Sequence, residues 1–361
     1  MPTATEVTNA MRLPTTSLPL LAAMLLSACT AATPSPTPSS TPGTPTASPS
    51  AGGSITVYSG RSEELVAPLI EQFETATGIN VEVRYGDTAE LAVLLTEEST
   101  HTPADVYFAQ DAGALGAVAQ ADMLAPLPAE ILARVPEALR SPDGEWVGVS
   151  GRARVVAYDS RELAEADLPQ SIDELTDPAW RGRIGWAPTN GSFQAFVTVF
   201  RLMRGEDAAR AWLEGIVANE PVTYEGNTPI VQAIADGEID VGLVNHYYAL
   251  RQRAEQGSTF PTLNHYLGAD DPGALVNVAG AGVLAASDNA AAAQRFVDYL
   301  LGADAQAYFA EETFEYPLVE GVAPPAGAPP LAELATPDID LSDLSDLQGT
   351  LELLTEVGAL P

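Results

Sequence analysis

Tyr247 and Tyr248 end the β-patterned run Ile239-Asp-Val-Gly-Leu-Val-Asn-His-Tyr-Tyr. A phenol ordinarily loses its proton near pH 10 (about 10 for a free tyrosine). A nearby cation of high charge inverts that preference and strips the proton. The resulting phenolates are hard, strongly basic oxygens that suit a trivalent iron ion. Side chains alternate faces along a strand, so two neighbours converge on one ion only where the backbone leaves β geometry. Ala249 to Gly257 reads as a helix closed by glycine, which puts the pair at a strand-to-helix junction. Two such rings also suit an organic-ligand cleft or a stacked pair on a lobe surface. The residues alone leave these readings open.

The elements that must position the pair follow from periodicity. Ser54-Ile-Thr-Val-Tyr-Ser alternates as a strand. Glu63 to Thr77 is amphipathic, with Leu65, Leu69, Ile70 and Phe73 on one face and Gly78 at its end. A strand over Ile79 to Tyr85, a helix over Ala89 to Ser99 and a strand over Ala104 to Ala109 continue the pattern. Strand, helix, strand, helix, strand implies a parallel α/β sheet. Ligands of such sheets sit beyond the carboxyl ends of the strands, which places Ser59-Gly60-Arg61, Gly86-Asp87-Thr88 and Gln110-Asp111 around one crevice. A second α/β set follows, with strands at Val155 to Tyr158, Arg183 to Trp186, Asp240 to Val244 and Gly280 to Ala286. Its helices are expected over Ser192 to Met203, Glu206 to Val217, Thr228 to Asp236 and Ala290 to Leu301. That is too much for one small sheet, and two similar lobes with a cleft between them are expected. After Ala323 the chain is Pro-rich, then reads as helix over Leu344 to Val357.

Composition narrows the function. The formal charge of −33 repels nucleic-acid phosphates. There is no Lys, so every side-chain cation is Arg or His. With Cys29 alone there is no disulfide framework and no thiolate metal site. Leu18 to Leu26 is a short apolar run, and Leu26-Ser-Ala-Cys29 behind it resembles a bacterial lipoprotein signal, with Cys29 as the lipidated residue. The run is too short for a confident membrane span. Glu6 is out of place in a basic n-region, and Met11-Arg12 is an alternative start to Met1. Thr30 to Ser54 is almost wholly Thr, Pro, Ala, Ser and Gly, a disordered tether that cannot bury a core. The histidines His101, His246 and His265 form no metal motif, and no nucleophile–base spacing or phosphate loop is present. A binding protein is expected rather than an enzyme.

Several motifs in order, Ile55-Thr-Val-Tyr-Ser-Gly, Thr102-Pro-Ala-Asp-Val-Tyr-Phe, Ser150-Gly-Arg-Ala-Arg-Val-Val, Arg183-Ile-Gly-Trp-Ala-Pro-Thr-Asn-Gly-Ser-Phe, Asn245-His-Tyr-Tyr, Asp271-Pro-Gly-Ala-Leu-Val and Glu315-Tyr-Pro-Leu, carry a resemblance. The chain resembles the ferric-ion-binding components of bacterial ABC transporters, the bacterial transferrins, from Ile55 to about Leu360. The resemblance implies a two-lobed α/β periplasmic-binding-protein fold of type II with hinge strands. It implies residues 1–29 as lipoprotein signal peptide, 30–54 as tether, 55–152 with 278–325 as one lobe, and 153–277 with 326–361 as the other. Tyr247 and Tyr248 stand where the family's two iron-ligating tyrosines stand. Ser62 and Gln110 replace a His and a Glu that many members carry as ligands, leaving Tyr85, Asp111, Glu63 and Asp87 as substitute oxygen donors.

A synergistic anion, carbonate or phosphate, is the other way to complete the metal's coordination. Asn190-Gly191-Ser192 opens a helix whose free N–H groups and dipole attract an anion, and the resemblance adds Asn227 and Asn245. Plain capping by Asn190 or Ser192 is the alternative. Arg152 and Arg154 suit either the anion or surface ion pairs. The implied protein is a monomer on the extracytoplasmic face of the cell membrane, lipid-anchored, handing Fe(III) to an ABC permease. The rival is the same fold holding a polyamine, a phosphonate or another small organic anion.

Overall fold

The computed structural model describes residues 53–268, 270–334 and 336–360. Cys29, the expected signal segment and all but the end of the expected tether lie outside them. The chain enters through β1 (Ser54–Ser59), α1 (Glu63–Thr77), β2 (Asn80–Tyr85), α2 (Thr88–Glu98), β3 (Val106–Ala109), α3 (Ala112–Gln120), β4 (Leu124–Ala125) and α4 (Ala129–Leu132). The long strand β5 (Trp146–Asp159) leads to β6 (Ile184–Trp186), α5 (Gly191–Arg204), α6 (Glu206–Ala218), β7 (Val222–Thr223), α7 (Asn227–Asp236), β8 (Val241–Asn245), α8 (His246–Gln256) and β9 (Thr262–His265). β10 (Val276–Leu284), α9 (Ala290–Leu300), α10 (Ala303–Glu311), β11 (Tyr316–Pro317) and α11 (Leu347–Glu356) complete it.

β1 pairs in parallel with β2 and β3, as the alternation of strands and helices predicts. The strand order is β2-β1-β3-β10-β5-β8-β6-β7. β5 and β10 make the crossing. The first half of β5 pairs antiparallel with β10, Gly151 opposite Val278, and its second half pairs with β8, Val155 opposite Val244. All but one of the fourteen residues of β5 are buried.

Each side of the crossing has its own core. One gathers Val57, Phe73, Phe108, Trp146, Phe296 and Phe309 around β1, β3 and β10. The other gathers Trp186, Phe193, Phe196, Phe200 and Trp212 around β6 and α5, with Ile230, Val231 and Ile234 of α7 on the opposite face. Residues 326–361, expected with the second lobe, divide between the two. Leu341 and Leu344 pack in the first core, and Leu353 and Leu354 in the second. The expected helix from Leu344 is a 3₁₀ turn over Leu341–Ser345, then α11, because Asp346 stops one and caps the other.

Candidate functional site

The tyrosine pair lies in the first turn of α8, not at the end of β8. Asn245 is the last extended residue (φ −86°, ψ 147°) and helix begins at His246. Successive helical residues are rotated by about 100°, so the two side chains leave the same end of the helix. Their rings stack with centroids 4.2 Å apart and planes 28° apart. The strand exit thus supplies the backbone change that convergence on one ion requires. Tyr247 is 6% exposed and Tyr248 half-buried. Burial, reinforced by neighbouring Tyr248, raises the Tyr247 phenol well above its ordinary value, and nearby Arg152 opposes the rise. Without a metal ion this phenol is neutral, because burial outweighs Arg152.

His246 fixes the base of the pair. Its ring stacks on Tyr316 at 4.5 Å, and its Nδ1 accepts the Ala153 N–H at 3.2 Å. That bond assigns the proton to Nε2. Burial pulls its pKa down to about 3, so it is a neutral wedge between α8 and β5.

A cleft of about 540 Å³ opens beside the pair. Asp87, Gln110 and Asp111 line it from the first core's side, with Asn277 of β10. Thr189, Asn190, Gly191, Ser192, Glu225 and Asn245 line it from the second, and Arg152 and Arg154 rise into it from β5. Tyr247 and Tyr248 are not among its lining residues, but Arg152, which is, lies near Tyr247, and Arg154, which also is, lies near Tyr248.

These two arginines are the unusual feature. Each is 3% exposed, and neither forms an ion pair among the described residues. Nε of both lacks a hydrogen-bond partner. Arg154 reaches Leu243 O at 2.8 Å and Ser192 Oγ at 3.4 Å, with its guanidinium 5.5 and 5.3 Å from the centres of the Phe193 and Phe196 rings. Burial pulls its pKa down to about 9, which leaves it charged at neutral pH. Buried charges with no ion-pair contact are costly, and Arg152 has only the nearby, unbonded carboxylates of Asp111 and Glu315. Two such arginines facing a cleft make it a place for negative charge. The surface ion pairs left open by the sequence are not formed.

The expected anion residues are brought together, and they also bond to one another. Asn190 Oδ1 accepts from Ser192 N–H at 3.1 Å, from Ser192 Oγ at 2.5 Å and from Asn227 Nδ2 at 3.2 Å. Asn227 Oδ1 accepts the Asn245 N–H at 3.3 Å. Asn190 is thus the cap of α5, and Asn227 the brace that ties α5, α7 and β8 around its N-terminus. Asn227 itself is behind the cleft wall.

The expected substitute donors divide. Asp111 lines the cleft, capping α3 by accepting the Ala114 N–H at 2.9 Å. Burial raises its carboxyl, an effect that the Ala114 bond and Arg152 oppose. Asp87 lines it too, while capping α2. Tyr85 and Glu63 do not reach the cleft. Tyr85 is half-buried against the first core, and Glu63 is an exposed first-turn residue of α1. Sequence reasoning missed Glu225 and Thr189, which sit in loops, and Asn277 at the start of the central strand β10, where no period marks them. Also unanticipated were Leu344, Ser345 and Leu347 on the cleft wall.

The fold and the cleft define a two-lobed α/β binding protein of the periplasmic type. The chain belongs to the bacterial extracellular solute-binding proteins, whose pattern it matches over residues 101–340. It is 35% identical over 343 residues to the major ferric iron-binding protein of Neisseria meningitidis serogroup B, covering 93% of this chain and 97% of that one. It is 34% identical over 312 residues to the Fe(3+)-binding periplasmic protein of Serratia marcescens, covering 86% and 92%. Among solved structures it is similar to iron-bound HitA from Pseudomonas aeruginosa (TM-score 0.78, 35% identity, 84% of this chain and 99% of that one). It is also similar to Trichodesmium IdiA (FutA) in complex with iron and citrate (TM-score 0.76, 29% identity, 85% and 99%).

Proposed function

We propose that the chain captures Fe(III) outside the cytoplasm and delivers it to an ABC importer. The observation that carries this reading is the stacked Tyr247–Tyr248 pair at the start of α8, beside a cleft that holds two buried, unpaired arginines. The names of the relatives, which specify ferric iron, support it. Hard anionic oxygens favour Fe(III) over softer ions. Phenolates from Tyr247 and Tyr248 are the metal ligands of this proposal. Asp87 and Asp111 are the carboxylates of the facing wall, available to complete the coordination in place of the absent His and Glu.

Arg152 and Arg154 assign the anion in this reading. A carbonate or phosphate between them and the α5 N-terminus at Asn190, Gly191 and Ser192, with Asn245 at its edge and Asn227 bracing the loop, neutralises the buried guanidinium groups and adds oxygens to the metal. The permease partner, the monomeric state and a lipid anchor at Cys29 belong to the same proposal. So do the lobes, 55–152 with 278–325 and 153–277 with residues from 347 on.

The test is spectroscopic. Ferric citrate added to the protein should produce a tyrosinate–iron visible band, and the Tyr247→Phe/Tyr248→Phe double variant should lose it. Each Phe keeps the ring and removes only the donor oxygen. Affinity should fall beyond the roughly 10–100-fold that loss of a ligand's supporting partner costs. Unchanged affinity in the double variant refutes the assignment, and absence of the band in the parent favours a non-metal solute.

A further inference from the structure

The C-terminal segment offers a device beyond the metal site itself. It is fixed to both cores and crosses between them beside the cleft. Its 3₁₀ turn over Leu341–Ser345 lies on α3 with unusual closeness. A Cβ on Gly113 would stand 2.5 Å from Leu344 O, and one on Gly116 would stand 2.5 Å from Ser342 O. The two glycines, three apart on one face of α3, therefore let backbone lie against backbone. Leu341 and Leu344 are buried there, and Gln120 Nε2 donates to Ser345 Oγ at 3.2 Å.

One residue later the chain is held by the other core. Arg201 of α5 donates to Asp346 O at 3.1 Å, to Asp346 Oδ2 at 2.8 Å and to Thr350 Oγ1 at 2.9 Å. Thr350 and Thr198 share a buried hydroxyl bond of 2.7 Å, and Leu353 and Leu354 are buried in the second core. The passage between anchors is Asp346 alone (φ −77°, ψ 60°), outside both the 3₁₀ turn and α11. Leu344, Ser345 and Leu347, on either side of it, form part of the cleft wall.

A link clamped at both ends limits relative motion to what its joint absorbs. Hinge motions concentrate at a few residues at element ends, and Asp346 is such a residue. We propose that residues 341–356 are a strap joining the lobes in addition to β5 and β10, and that the Arg201–Asp346 contact is a catch limiting how far the cleft opens. The consequence for release rests on the cleft holding the iron; the consequence for lobe motion does not.

The experiment measures the inter-lobe distance by spin labels on Glu130→Cys and Glu214→Cys in a Cys29→Ser background of the full chain. Iron release to excess chelator is timed in parallel. Asp346→Asn keeps an oxygen to cap α11 and removes the charge facing Arg201. Arg201→Gln removes the charge from the other side. Both should broaden the iron-free distance distribution toward longer separations and speed release by up to about fivefold, the scale of one partly exposed ion pair. An unchanged distribution, or a shift to shorter separations, in variants with parental circular dichroism overturns the strap. A parent that takes up no iron refutes the proposed cargo, while the iron-free distances still decide the strap.

Discussion

At the residue scale, Arg152 shows the conflict between stability and binding most directly. Its guanidinium is 3% exposed, near Asp111, Glu315 and Tyr247, and bonded by Nε to nothing. Glu315 is committed elsewhere, accepting from Arg61 at 2.8 Å and from Ser150 at 2.8 Å. A buried charge kept without a full set of partners lowers stability unless a ligand completes it. Arg152→Met should raise the stability of the ligand-free protein by about 0.5–2 kcal/mol, the usual range when a functional strain is removed. The same change should weaken iron retention and abolish its enhancement by carbonate or phosphate. Thermal melts and iron titrations with and without each anion check both signs. A purely structural Arg152 would show the reverse, a lower melting temperature and unchanged affinity. The phenols add a proton dependence. Burial raises Tyr247, the metal takes only the deprotonated form, and two phenols release two protons on binding. Acid therefore opposes binding, and affinity should fall about 100-fold for each pH unit lost near neutrality. Competition titrations at several pH values measure the slope, and a flat profile excludes phenolate ligation.

At the level of elements, the N-terminus of α5 depends on one side chain. Asn190 Oδ1 takes three donors, so Asn190→Ala should cost about 1–2 kcal/mol by chemical denaturation, as loss of an N-cap does. It should also loosen Asn227 and with it the anion response, without removing the tyrosinate–iron band. How far such elements were legible depended on whether they had one wet face. α1 is legible to its ends because its apolar residues recur on one side and Gly78 takes the left-handed φ of 70° that closes it. The sequence marks β5 only at Val155 to Tyr158. Its earlier half is buried on both faces and interrupted by Gly148 and Gly151, so no alternation marks it. Tyr247 and Tyr248 end a strand pattern in the sequence, but the helix starts just before them, since first-turn residues need not yet show helical periodicity. Arg152 and Arg154 illustrate a different limit. An arginine in sequence is equally a surface charge or a buried one, and only the crossing of β5 between two cores turns both inward.

At the scale of the whole molecule, the charge balance sets how iron approaches. The chain has 49 acidic residues against 16 arginines, and eleven ion pairs occupy much of the positive charge among the described residues. Most of these pairs are at least partly exposed and contribute little, about 0–1 kcal/mol each. The remaining carboxylates repel one another, and that repulsion reaches about 30 Å at 0.01 M salt but only about 8 Å at 0.15 M. Raising salt over that range should therefore raise the melting temperature, because screening relieves the surface while the Arg61–Glu315 pair, 1% exposed on both sides, is barely touched. The same field acts on the cargo before it meets Arg152 and Arg154. A cationic iron species is drawn in and an anionic chelate held off, so salt should slow loading from the first and speed loading from the second. Stopped-flow loading from ferric citrate, an anionic complex, should accelerate between 0.01 M and 0.15 M salt. If it slows instead, the two buried arginines dominate the approach, and the local field of the cleft outweighs the net charge of the chain.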